Sequence, residues 1–443
     1  MRTVPIFDAG SPSSPVFLTP GFSLGGWIPA AVPDMPHPPA SPRLEDDADK
    51  YFMFQAILTS MQNGHISSPN PAVGCVITKN NTIIARGCTR AWGDWHAERV
   101  AFSQVSEEDL QGSTIYLTME PCTHTGRQPP CVTLFKNKGI SRVVIAQIDP
   151  NPLVHNQGIR ALQSYGIKVD VGPLASEARA WNSPFAVEKT GGGPFIAIKW
   201  AQSIDGCLAD DENGWQWITG PFARKYTHWL RQKYDAIMVG ASTVLNDFPS
   251  LDVRDIFLPS PRAPLKIIFD PKGHSFFCSA EIQKQLLPKT FKENTKKVFL
   301  IEKNMVQRIF KCVEEWCVYL RSSPEVLIVP LHKKSESITS TDILDCLRDA
   351  NIESFLGRPL QSVFVEGGPR LLSLFVDGND FDVAHVFFAP FVLGGVKNRM
   401  FSTNHSSTFA HMPRRIGNVK RWHTVATCPL GSDVLVEMVP IIS

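Results

Sequence analysis

Two α/β layer domains in tandem, behind an extension without regular structure, are what this 443-residue sequence predicts. Three observations carry that expectation. The chain is too long for one ordinary core. After residue 45, short β-rich runs alternate with helical stretches, the pattern of strands and helices stacked in layers. The segment "EKTGGGP" at 188–194 holds three consecutive glycines, which keep regular structure only at a high conformational cost and so mark a linker. The limits set by composition agree. Hydrophobic residues are 43% of the chain, ample for buried sheets. Lys and Arg number 44 against 42 Asp and Glu, a net charge of +2, which gives no basis for a nucleic-acid or membrane surface. No apolar run reaches the about 18 residues that span a bilayer. The ten Cys are scattered and follow no secretory signal, so they read as thiols of a reducing, cytoplasmic compartment, where two of them can serve a metal.

Residues 1–44 are dense in Pro, Ser and Gly, show no sustained period and read as disordered. They are poor in acids, as organelle transit peptides are, but lack the Arg-rich amphipathic pattern. We read them as an extension of no catalytic importance, with organelle import left open. The first ordered helix is expected in "LEDDADKYFMFQAILTSMQNG", with acids in its first turn, apolar Met53, Ile57 and Met61 on one face, and Gly64 at its stop. "PAVGCVITKNNTIIARG" is two β-rich runs joined by Lys79-Asn80-Asn81, a hairpin. His96 opens a helix; "STIYLTM" is a buried strand running to Glu120-Pro121; "RVVIAQI" is another. These place a first domain at 45–190. Beyond the linker, "FIAIKWA", "DAIMVGA", "LKIIFD", "VFLIEK", "EVLIVPL", "SVFVEG" and "DVAHVFFAP" are strand candidates of a second domain at 194–443.

The chemistry of the first domain lies in "HAERVAF…YLTMEPCTHTGRQPPC". His96, Cys122 and Cys131 offer one N and two S, a donor set for zinc with the fourth position open. Glu98 follows His96 by two residues, a carboxylate beside the metal without being a ligand. Pro121-Cys122 is expected to start a helix whose free N–H groups stabilise thiolate. Zinc would lower the pKa of its water toward ~7, and Glu98 would pass the water's proton to a departing amine. This is the chemistry of zinc deaminases, with H-x-E followed by P-C. A structural zinc with His124 as fourth ligand is the bland alternative, but nothing structural requires Glu98.

The second Cys departs from P-C-x-x-C, coming after the inserted loop "THTGRQPP". With this loop, with Pro69-Asn70-Pro71-Ala72-Val73-Gly74-Cys75-Val76 upstream, and with Asp149-Pro150-Asn151-Pro152 downstream, the chain resembles the bifunctional riboflavin-biosynthesis deaminase/reductase family. The resemblance implies a cytidine-deaminase-like three-layer domain followed by a dihydrofolate-reductase-like α/β domain. It implies a diaminopyrimidinone substrate carrying ribosylamine 5′-phosphate, with Asn70 on the base and His124 and Arg127 on ribose or phosphate. Arg is the better phosphate clamp. Gln128 departs from the Thr usual in the family, and Asn156 stands where a Gly is usual.

"PFIAIKWAQSIDG", "WITG", "IMVGASTVLNDFPSLDVR" and "FVEGGPRLL" extend the resemblance to the reductase half. Read from the residues, "SVFVEGGPRLLSLF" is a strand, a Gly pair and a helix, a turn that lets backbone N–H groups approach a phosphate. The resemblance implies NADPH, with cofactor contacts at Gln202, Trp217, Thr243, Asp247, Gly367 and Gly368. It places the phosphorylated substrate against Lys199, Arg231, Leu251, Arg254 and Glu366. Lys199 either polarises the sugar C1′ or holds phosphate. Trp215 and Pro271 stand where the family usually has hydroxyl residues. The sequence therefore leaves competing readings: a two-site enzyme on a small-molecule substrate; a deaminase with a degenerate reductase domain that survives as a scaffold; a nucleic-acid deaminase, against which the balanced charge argues; and a zinc-stabilised binding protein. Self-association is a tendency of the family.

Overall fold

The computed structural model describes residues 47–63, 66–209, 217–254, 263–292, 294–394 and 421–441. The 1–44 extension, Gly64 and Trp215 lie outside the described residues. The chain divides between Gly192 and Gly193 into two compact units.

The amino-terminal unit is built on a five-stranded sheet. Its strands are β1 (Gly74–Lys79), β2 (Thr82–Cys88), β3 (Thr114–Leu117), β4 (Arg142–Ile145) and β5 (Lys168–Val171), in the order β2-β1-β3-β4-β5. The β1–β2 hairpin closes on Asn80 and Asn81, both left-handed at φ 51° and 56°, a conformation that Asn tolerates better than most residues. β1 and β3 are antiparallel, while β3, β4 and β5 run parallel. The helix Ala48–Met61 covers one face. It starts at Asp47, whose side chain accepts the Lys50 N–H. Its Asp49 accepts from Tyr116 Oη and takes a two-pronged hydrogen bond from Arg142. The other face, with Cys75, Ile77, Ile115 and Leu117, buries Ala97 and Ala101 of the helix Ala97–Phe102. Two glycines set these distances. A Cβ on Gly74 would lie 1.9 Å from Ala56 O, and one on Gly87 would lie 2.2 Å from Ala97 O. Helix, sheet and helix make the expected three layers.

The second unit carries nine strands: β6 (Phe195–Ser203), β7 (Ala236–Gly240), β8 (Leu265–Phe269), β9 (Lys297–Glu302), β10 (Val326–Leu331), β11 (Ser362–Val365), β12 (Val383–Ala389), β13 (Trp422–Leu430) and β14 (Asp433–Pro440). Their order is β10-β9-β8-β7-β11-β6-β12-β14-β13. All neighbours are parallel except at β14, which is antiparallel to both β12 and β13. Each run read from the sequence as a strand is one. The β13–β14 hairpin was not among them: its burial alternates, but buried places on β14 are taken by Asp433 and Glu437 while Val434 and Val436 lie on the other face, so the apolar pattern along the sequence hides the strand. Pro330, which has no N–H for a ladder, sits in β10 at the sheet edge.

Candidate functional site: a group of metal donors and a buried ion pair

In the first unit, His96 caps the helix Ala97–Phe102 in extended backbone, immediately after a loop closed by Arg90 N–H on Trp95 O at 3.0 Å. His96 Nδ1 lies 3.7 Å from Cys122 Sγ and 3.4 Å from Cys131 Sγ. A tetrahedral zinc with Zn–N of ~2.0 Å and Zn–S of ~2.3 Å separates such donors by about 3.5 Å, so the three residues fit the ion. His124 is exposed and falls outside this cluster. The expected helix start at Cys122 is corrected. Residues 121–130 form a loop, and the helical turn that follows is a 3-10 helix beginning at Cys131. Two prolines ahead of Cys131 deny the loop its N–H donors. The anticipated N–H still arrives, because Cys131 N–H donates to Cys122 Sγ at 3.3 Å. The Cys131 thiol, and then His96, hold the Cys122 thiol down at about 4. Hydrogen bonding to Cys122 and burial push Cys131 up.

Glu98 is 4% exposed, on the first turn of the helix. Burial, then the charge of Cys122, raise its carboxyl above the ordinary range. A carboxyl so placed and so raised can hold a proton beside the three donors. Asn70 sits in the turn before β1, with its N–H on Ser67 O at 2.9 Å. Ala72, two residues on, is gripped at both backbone groups by the Asn182 amide, at 2.8 and 3.1 Å. Arg127 lays its guanidinium 3.7 Å from the centre of the Trp92 ring, and Gln128 Nε2 donates to Gly93 O at 2.8 Å. Asn156 takes the left-handed φ of 63° that a Gly would suit.

Sequence reasoning missed Glu120 and Asn182. The Glu120 carboxylate accepts backbone N–H groups of Asp149, Asn156, Gly158 and Ile159, tying the Asp149-Pro150-Asn151-Pro152 loop beside Cys122. A Glu at a strand end just before Pro-Cys was the available signal. Nothing local marks Asn182.

In the second unit, β11 lies between β7 and β6, so their carboxyl ends meet. Glu366, at the end of β11, takes a two-pronged ion pair from Arg231, at 2.6 and 3.0 Å. Burial alone would raise the Glu366 carboxyl, but Arg231 and then Lys199 bring it below the ordinary range. Lys199, midway along β6, is pushed down by burial, against the pull of Glu366. Arg231 also donates to Asp252 O at 2.9 Å, and Arg254 Nη1 donates to Asp252 Oδ1 at 2.5 Å. Lys199, Arg231, Arg254 and Glu366 are therefore brought together, with Arg231 committed to Glu366 rather than directed outward. Burial, then Arg231 and Arg254, hold the nearby His228 at about 4. Phe248 and Leu251 are both left-handed, at φ 45° and 49°, uncommon for bulky side chains. Leu251 is 2% exposed and its side chain packs in the core, so any contact it makes with a ligand would have to come from its backbone.

Gly367 and Gly368 lead into the helix Pro369–Gly378, whose N-cap Gly368 offers no side chain. A Cβ on Gly367 would meet Leu371 at 2.9 Å, and one on Gly368 would lie 3.7 Å from Thr243 Oγ1. Thr243 and Asp247 belong to the helix Ala241–Asp247 that follows β7, the strand beside β11. Neither glycine puts a side chain in the way of a phosphate at the start of the helix Pro369–Gly378, although Pro369 brings no N–H and the Leu371 N–H is taken by Gly368 O at 3.1 Å. Gln202 accepts from Trp200 Nε1 at 2.7 Å, and Trp217 is exposed beneath Arg224. Pro271 contributes its carbonyl to Glu302 N–H at 3.0 Å, joining the ends of β8 and β9. Among the described residues, no helix is long and apolar enough to cross a membrane.

A zinc-dependent deaminase joined to a reductase is the class that these two units define. Residues 46–147 match the model of the cytidine and deoxycytidylate deaminase zinc-binding region, and residues 194–436 match that of the RibD C-terminal domain. Over 348 residues the chain is 35% identical to the riboflavin biosynthesis protein RibD of Aquifex aeolicus, covering 79% of this chain and 88% of that protein. The chain belongs to the RibD family of riboflavin biosynthesis proteins, and zinc and NADPH are its cofactors. The Escherichia coli RibD is 31% identical over 78% of this chain and 89% of its own length. The deaminase/reductase structure from Thermotoga maritima superposes with a TM-score of 0.70 at 30% identity, covering 89% of this chain and 99% of that one. Acinetobacter baumannii RibD does so at 0.69 and 27%, covering 90% and 100%.

Proposed function

We propose that the first unit hydrolyses the 2-amino group of 2,5-diamino-6-ribosylamino-4(3H)-pyrimidinone 5′-phosphate, and that the second reduces the ribosyl group of the product to ribityl. The observation that carries this is Glu98, buried beside His96, Cys122 and Cys131 yet not one of the metal donors. Zinc, when bound, supplies an activated water for attack on the pyrimidine C2. Glu98 then carries the proton from that water to the leaving amine, which its raised affinity for a proton suits. Asn70 pairs with the pyrimidine edge, and His124 and Arg127 hold the ribose phosphate.

In the second unit Gln202, Trp217, Thr243, Asp247, Gly367 and Gly368 would hold NADPH, which when bound would supply hydride to the sugar C1′ as the C1′–O4′ bond opens. Lys199 would give its proton to the sugar oxygen released from C1′, since burial makes its ammonium a stronger acid even against the opposing charge of Glu366. Arg231 fixes Glu366; Arg254 and the Leu251 backbone take the substrate phosphate. The substrate is a small molecule, and the enzyme acts in the cytoplasm without a nucleic-acid partner.

Ammonia release and NADPH oxidation, followed with the diaminopyrimidinone phosphate, test this. Ammonia is expected with or without NADPH, and NADPH oxidation only after deamination. The Glu98→Gln enzyme should keep its zinc and lose about 10²–10⁴ in ammonia release. Undiminished turnover would remove Glu98 from the reaction, and NADPH oxidation without deamination would break the proposed order.

A further inference from the structure

We propose that Trp92 is the positioning residue for Arg127, holding its guanidinium where it grips the substrate's 5′-phosphate; this rests on the assignment of Arg127 to phosphate made above. The loop Arg90–Trp95 is closed by two backbone hydrogen bonds, Arg90 N–H to Trp95 O at 3.0 Å and Asp94 N–H to Ala91 O at 2.9 Å. It runs directly into the metal donor His96. The Cys122–Cys131 loop meets it at two neighbouring points. Arg127 Cζ lies 3.7 Å from the centre of the Trp92 ring, and Gln128 Nε2 donates to Gly93 O at 2.8 Å. Gly93 takes a φ of 92°, which L side chains rarely adopt, and its position is in van der Waals range of Arg127: a Cβ there would lie 3.4 Å from Arg127 Cδ.

The chemistry follows from that geometry. Arg127 is exposed, and an exposed Arg samples many rotamers unless something holds it. The Trp face holds the flat guanidinium by its own face and leaves the in-plane N–H groups directed sideways, the orientation a phosphate needs for two parallel hydrogen bonds. Gln128 fixes the backbone next to Arg127 on the same shelf. This gives a function to the one position where the loop departs from its family pattern: Gln128 ties the loop that leads into His96 to the loop between Cys122 and Cys131.

The test compares wild type, Arg127→Ala, Trp92→Ala and Trp92→Phe in steady-state deamination. Each is assayed with the phosphorylated pyrimidinone and with its dephosphorylated counterpart, and zinc content is measured throughout. Arg127→Ala should raise KM for the phosphorylated substrate roughly tenfold or more. Trp92→Ala should raise it roughly fivefold, with kcat and zinc unchanged and KM for the dephosphorylated substrate unmoved. Trp92→Phe, which keeps an aromatic face, should restore most of the loss. If Trp92→Ala affects both substrates alike, lowers kcat or loses zinc, Trp92 merely supports the loop and the inference fails. It fails also if Arg127→Ala discriminates between the substrates and Trp92→Ala does not; the reading of Arg127 then stands. If Arg127→Ala does not discriminate, that reading fails and takes the inference with it.

Discussion

Arg231 and Glu366 show how much a single side chain can carry here. Both are buried, and removing one charge leaves the other unpaired in a poor solvent. Arg231→Met should therefore cost about 3 kcal/mol of stability, and the double change with Glu366→Gln should recover most of it, read by denaturant unfolding. A double variant no more stable than the single would show that the pair does not act as a unit. Asp149 poses the opposite case. Burial, and then Glu120, raise its carboxyl to about 6, above the ~3.9 of an unfolded chain. A group shifted this way adds stability only while protonated. Its contribution is complete below about pH 4 and lost as pH rises through about 6, a swing of at most about 3 kcal/mol. Asp149→Asn should thus stabilise the first unit at pH 7 and leave it unchanged near pH 4. An equal shift at both pH values in thermal unfolding would count against titration as the cause.

At the scale of elements, the site depends on how closely a helix can approach a sheet. Gly87 in β2 faces the helix Ala97–Phe102, which carries Glu98 and is capped by His96. A side chain there collides with backbone, not with a flexible tip, so the helix must move. Gly87→Val should reduce zinc occupancy and ammonia release by at least about tenfold, since misplacement of about 1 Å is costly to catalysis. NADPH oxidation on supplied deaminated substrate should persist. Normal zinc content in this variant would show that the helix tolerates the shift. The inserted loop makes the same point in another way. Its prolines keep Cys122 out of a helix, yet the start of the following 3-10 turn still delivers an N–H to that sulfur.

For the whole molecule, two compact units carry two chemistries, and each core closes within its own unit. Removing zinc with a strong chelator should abolish ammonia release while leaving NADPH-dependent reduction of deaminated substrate within about twofold. Restoring zinc should restore the first activity alone. Loss of both on chelation would mean that the metal also supports the second unit.

The sequence by itself determined what depends on near neighbours along the chain. Runs such as "AIMVG" and "LKIIF" are strands because β-branched and apolar residues suit a buried sheet. Asn80-Asn81 is a turn because Asn accepts left-handed backbone. The spacing of His96, Glu98, Cys122 and Cys131 announced a zinc deaminase before any distance was known. Tertiary structure decided what joins distant positions: Arg231 to Glu366, Asn182 to Ala72, Arg127 to Trp92. It also added β13 and β14 to the sheet and turned the Leu251 side chain inward. The first of these pairings follows from strand order, and the other two from how loops and helices pack on the first sheet. Propensity and motif spacing record how a residue relates to its covalent neighbours, whereas the order β7-β11-β6 emerges only when the helices and the sheet pack together.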